Sequence, residues 1–143
     1  MHSKLVSKPG ETRVWIAVLE IGEEAKQSLL EIAEEEEIED ASFVALGAFA
    51  RASVAYFDWQ AKKSKDIAVE EQVEVITPIG DIVPDEKGKA SLHAHVVLGL
   101  WDGSIRGGHL QEGIVRPTLE ITITETPRAP DPAQTSRIGD SDY

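Results

Sequence analysis

Apolar and polar positions alternate with a period of two along most of this chain, and a helical period shows in one early stretch. Arg13 to Leu19, rich in Val, Ile and Trp, predicts a first strand. Gly22 then opens a helix, with Glu23 and Glu24 in a first turn where acids suit the helix dipole. Ala25, Leu29, Ile32 and Ala33 form one apolar face of that helix, which runs to about Glu37. From Ser42 the period changes. Phe43 to Ala48 and Ala52 to Asp58 predict small-residue-rich strands that pack closely or bend at Gly47. Asp58 to Lys65 reads as a polar connection, with Lys62, Lys63 and Lys65 in a hairpin loop. Val73 to Thr77 and Ile79 to Val83 make a strand pair, or one long strand broken near Pro78. Pro84 to Lys89 is a turn with Gly88 where positive φ is tolerated. A strand from Ser91 to Leu100 follows, then Asp102-Gly103, a strong hairpin signal. The strand around Ile105 to Leu110 therefore doubles back beside it. Thr118 to Thr124 is a clean alternation of a half-buried strand.

This order predicts an α+β fold: a strongly bent, mostly antiparallel, barrel-like sheet with one principal helix packed on it. Residues 1–10 are expected as an N-terminal extension, 11–126 as the domain, and 127–143 as a Pro-rich flexible tail. At 143 residues and 41% hydrophobic content, one domain with a proper core is expected. No run approaches a membrane span, and the N-terminus lacks the apolar run of a secretory signal. A cytoplasmic location without membrane contact is the expectation. The chain has no cysteine, so any metal must use imidazole, carboxylate or water. The net charge of −12 gathers between Glu20 and Asp40, where Lys26 is the lone base, and reads as a solvated helix face. Polyanion binding needs cations to replace condensed counterions. With no basic stripe in the sequence, DNA binding by this chain alone is disfavoured.

The candidate chemistry lies in three histidines. His93 and His95 alternate with Leu92, Ala94 and Val96, so both imidazoles project from one face, roughly 6.6 Å apart along the strand, while the apolar residues face the core. The Asp102-Gly103 hairpin brings His109, in Gly107-Gly108-His109-Leu110, into their neighbourhood. Three histidines on zinc leave an open position, the layout of a catalytic or ligand-accepting site. The competing reading is a set of polar residues on a solvated face. Zinc or another divalent transition metal is the cofactor expected, with His93, His95 and His109 as ligands. Glu112 is a candidate general base or orienting residue, and Arg106 a candidate anion-binding residue. For both, an ordinary surface role competes. Asp81 and Asp102 read as turn and strand-end residues, and Trp15, Trp59 and Trp101 as core or interface residues. There is no Ser-His-Asp order, P-loop or dinucleotide fingerprint.

From Gly47 to Glu125 the chain resembles the plants-and-prokaryotes-conserved (PPC) domain family. The resemblance rests on Gly47-Ala48, Tyr56-Phe57-Asp58, Glu74-Val75-Ile76 and Gly80-Asp81-Ile82. It continues through Leu92 to Val96, Asp102-Gly103, Gly107 to Gly113 and Pro117 to Glu120. The first strand and the acidic helix fit the family's opening, which extends coverage to roughly residues 10 to 126. The resemblance implies a bent antiparallel sheet assembled as a homotrimer, a regulator or scaffold associated with DNA, and in some relatives a metal at these histidines. Plant relatives join the domain to AT-hooks, and this sequence holds no Arg-Gly-Arg core of one. The alternative is a metal-dependent enzyme or small-ligand-binding protein with no direct DNA contact.

Overall fold

The structure, a computed structural model, describes residues 1–126. The expected tail, 127–143, lies outside the described residues. In chain order the elements are β1 (His2–Leu5), β2 (Val14–Leu19), α1 (Ala25–Glu35), β3 (Ala41–Asp58), β4 (Lys63–Val69), β5 (Val73–Pro84), β6 (Ala90–Gly99) and β7 (Ile105–Glu125). The strands form one antiparallel sheet in the order β1-β2-β7-β6-β5-β3-β4. Because β3 pairs with β7 as well as with β5, strands β3, β5, β6 and β7 close into a ring. This is the α+β class with a bent antiparallel sheet and one helix that the periodicity predicts.

The alternation decides what the ring encloses. Phe43, Ile82, Ala94, Val96, Leu98, Ile121 and Ile123 are buried, and their strand neighbours Ser42, Val44, Asp81, His93 and His95 are exposed. Helix α1 buries Ala25, Leu29, Ile32 and Ala33, the predicted face, and packs on β6 and β7. Burying a Leu or Ile side chain contributes roughly 1.5–3 kcal/mol, enough to dock a helix this short. Its start differs in detail from the expectation. Glu24 is the N-cap, its carboxylate accepting from the Lys26 and Gln27 backbone N–H groups, so the acids precede the first turn.

Four elements depart from the sequence reading. The two strands expected at Phe43 to Ala48 and Ala52 to Asp58 are one strand, β3, and those expected around Ile105 to Leu110 and at Thr118 to Thr124 likewise join into β7. Gly47 still marks the bend. A Cβ there would meet the Thr118 carbonyl oxygen at 2.2 Å, and the pairing register shifts around it. The polar segment after Asp58 is only partly a connection, for Lys63 to Val69 forms β4, paired with β3 from Ala52 to Asp58. Residues 2–5, where no element was expected, add strand β1 beside β2. Val73 to Pro84 is the single-strand alternative, with a register shift between Val75 and Thr77.

Candidate metal and ligand site on the outer sheet face

The histidines are placed by hairpin geometry. Asp102 accepts from the Ser104 backbone N–H at 2.9 Å and from its hydroxyl at 2.6 Å, while Gly103 takes φ 82°. This turn returns β7 alongside β6 so that His95 stands directly opposite His109. Their rings meet edge to face, with centroids 4.3 Å apart and planes at 71°. Gly108 makes the approach possible from the other side. A Cβ on it would lie 2.6 Å from the Ala55 carbonyl oxygen, where β3 passes behind β7. Its backbone, at φ 157°, is also one that side chains rarely adopt.

His93 sits two residues before His95 on the same outward face. Its Nδ1 lies 3.3 Å from Asp81 Oδ1, across the β5–β6 pairing. In the sequence Asp81 reads as a turn or strand-end residue; only the cross-strand register brings it to His93. Burial lowers the pKa of His109 below the ordinary 6.5, and neighbouring His95 and His93 lower it further. A neutral imidazole is the form that ligates a metal. The donor chemistry thus fits a borderline-soft divalent ion, although among the described residues no group of three or more His, Asp or Glu is arranged to hold one.

Two grooves flank these rings. One, of about 700 Å³, is lined by Ala55, Tyr56, Phe57, Trp59, Gly107 and Gly108 together with His95 and His109. The second, of about 670 Å³, is more polar and holds Ser42, Asp81, His93, His95 and His109. Trp59 and Trp101 are exposed, and Trp15 is the core residue among the three tryptophans. The Lys62 ammonium stands 3.1 Å above the Trp59 ring, so that ring face is already occupied by a cation.

The other candidate residues stand apart. Arg106 is an odd number of positions from His109 on a strand in continuous register, hence on the opposite face, and its guanidinium donates to the Ile105 carbonyl at 3.1 Å. Glu112 is held by Arg51 at 2.5 Å across the β3–β7 pairing. The structure therefore lines one groove with His93, His95, His109 and Asp81, in two contacting pairs, and places Arg106 and Glu112 outside both grooves.

Among the described residues no helix is long and apolar enough to cross a membrane. No curated protein matches the sequence. Solved structures do. A PPC protein from Pyrococcus horikoshii is 29% identical with a TM-score of 0.77, covering 86% of this chain and 87% of that one. A metal-containing protein from Archaeoglobus fulgidus is 26% identical with a TM-score of 0.74, covering 85% and 84%. A "Putative DNA-binding protein" from Ralstonia eutropha is 31% identical with a TM-score of 0.75, covering 91% and 90%. Residues 6–127 match the Plants and Prokaryotes Conserved (PCC) domain, and with the histidine strand, the hairpin and the ring of strands in place, the chain belongs to that family.

Proposed function

We propose that the protein is a cytoplasmic homotrimeric regulator or scaffold that holds a divalent transition metal, such as zinc, on His93, His95 and His109. The observation that carries the metal reading is the edge-to-face pair of His95 and His109 with His93 on the same exposed face. The Archaeoglobus relative, named as metal-containing, supports it. Val44, Leu46 and Ile79 support the assembly. These large apolar side chains lie 54%, 68% and 58% exposed on the same side of the sheet, where a second copy would cover them. The Ralstonia relative's name supports an association with DNA. A net charge of −12 argues that this association runs through a partner protein.

Elemental analysis of tag-free protein purified without chelator tests the metal reading, alongside a His93→Ala/His109→Ala variant. Near-stoichiometric metal, lost in the variant while the trimer persists, is the expected result. Metal-free protein that also takes up no zinc, nickel or manganese on titration would refute it. Gel-shift titration over a salt series tests the DNA reading. Direct binding that strengthens steeply as salt falls would replace the partner-mediated route with a contact of the chain's own.

The groove walled by Tyr56, Phe57 and Trp59 beside the histidine pair favours a second reading, a metal-dependent enzyme or small-ligand-binding protein with no direct DNA contact. Zinc would supply Lewis acidity at the groove's end. A ligand screen by thermal shift, with metal-loaded and metal-free protein side by side, separates the two readings.

A further inference from the structure

Asp81 occupies a defined place in the pairing of three strands. In register, Ser42 of β3 faces Asp81 of β5, and Asp81 faces His93 of β6. Asp81 therefore separates Ser42 from His93. Neighbouring strands lie about 4.8 Å apart, so the serine and the imidazole stand two strand spacings from each other. That spacing does not suit a serine nucleophile with a histidine base, which must touch. It does suit a carboxylate that acts on the imidazole, and Asp81 Oδ1 stands 3.3 Å from Nδ1 of the ring.

The register that sets this pair is held from the inner face. Gly80 precedes Asp81, and a Cβ on it would come within 2.4 Å of both the Phe43 ring and the His93 carbonyl oxygen. Phe43 is buried, so its ring lies against the bare Gly80 backbone and allows only a glycine at that step. A slip of one residue would turn Asp81 inward and put Gly80 or Ile82 opposite His93. The contact thus follows from core packing and not from the reach of a long flexible side chain.

We propose that Asp81 is the positioning residue for His93. It accepts from Nδ1–H, fixes that tautomer and the ring plane, and turns the Nε2 lone pair towards a metal shared with His95 and His109. A carboxylate behind a ligating histidine orients the ring and raises its basicity. The inference rests on the metal reading above, but the tautomer is a property of the metal-free protein and can be measured without it.

The experiment has two arms, on wild type and on Asp81→Ala, Asp81→Asn and Asp81→Glu variants. Asp81 is half exposed, so these variants are expected to fold, and melting curves check that they do. The first arm reads the His93 tautomer in metal-free protein by long-range proton–nitrogen NMR correlations above pH 7.5. Wild type is expected to carry the proton on Nδ1. Asp81→Ala should shift it towards Nε2, the tautomer free histidine prefers in water, and Asp81→Glu should largely restore it. The second arm titrates zinc by calorimetry. Asp81→Ala and Asp81→Asn should bind about 10–100-fold more weakly than wild type at unchanged stoichiometry, with Asp81→Glu between. A wild-type His93 already protonated on Nε2 overturns the proposal, whatever the metal does. Wild-type zinc affinity in Asp81→Ala overturns it while leaving the metal site standing. Wild-type protein that takes up no zinc overturns both, even if the Nδ1 tautomer is found.

Discussion

The two sides of strand β6 differ by one residue in phase and by everything in environment. Ala94, Val96 and Leu98 are sealed inside the ring, while His93 and His95 look outward beside Ile79 and Val44, themselves more than half exposed. The inner side is what a folding chain needs. Its residues are small or branched hydrocarbons, it is covered by α1 and the facing strands, and it holds no charged group. Folding alone does not account for the outer side. Bare Val, Leu and Ile next to three histidines and a carboxylate raise the cost of solvating the surface without adding to the core. One strand thus separates two roles: the buried side is the support, and the exposed side carries the surface proposed above as functional.

Substitutions on the two sides should therefore behave in opposite ways. The largest effect on folding is expected from the inner side: Leu98→Ala should lower unfolding free energy by about 2–5 kcal/mol in chemical denaturation. A loss under about 1 kcal/mol would show that the ring interior is not tightly packed. On the outer side, Val44→Lys with Ile79→Lys should convert the proposed trimer to monomer in light scattering while secondary structure stays intact. An unchanged mass would move the subunit contact elsewhere. The His93→Ala/His109→Ala variant should lose metal uptake yet cost no more than about 1 kcal/mol of monomer stability, since the edge of this cluster already meets solvent. A larger loss would give the histidines a structural role. The smallest effect should be on pH. The folded-state pKa of His109 lies below its ordinary 6.5, so the unfolded chain binds the proton more readily. Stability of the metal-free protein is then full above about pH 6.5 and declines as pH falls through 6.5 towards the folded value. His109→Gln should flatten that part of the curve in thermal melts, and an unaltered slope would assign the acid sensitivity to other groups.

What could be read from the sequence was whatever depends on residues near one another along the chain. The face of α1 follows from four apolar residues at helical spacing, and the outward pairing of His93 and His95 from a two-residue period. Asp102-Gly103 was enough to predict that His109 would come back towards them. What could not be read depends on partners. Strand β4 hides in a lysine-rich segment because it is an edge strand, and Val69 is its one buried residue. Lysines on an edge discourage further pairing, so they resemble a loop to a reader of composition. The continuity of β7 is masked by Pro117, which falls where the β3 register jumps and so leaves no ladder bond broken. Asp81 reads in the sequence as a turn or strand-end residue because its relation to His93 exists only once β5 and β6 are aligned.

The closure of the ring has a consequence for how the protein is made. Strand β3 leaves the ribosome early, but its long edge finds its partner β7 only when the last part of the domain has been synthesised. Even the closest-spaced pairing between them, Ala55 with His109, must wait for β4, β5 and β6 to be completed. Chains grow at about 5–20 residues per second, so β3 remains for seconds with one edge open. Non-local pairings of this kind also make folding slow. The nascent chain is thus a transient adhesive surface, and a chaperone that shields β3 until β7 arrives should raise the yield of soluble protein more than it would for a helical domain of the same length.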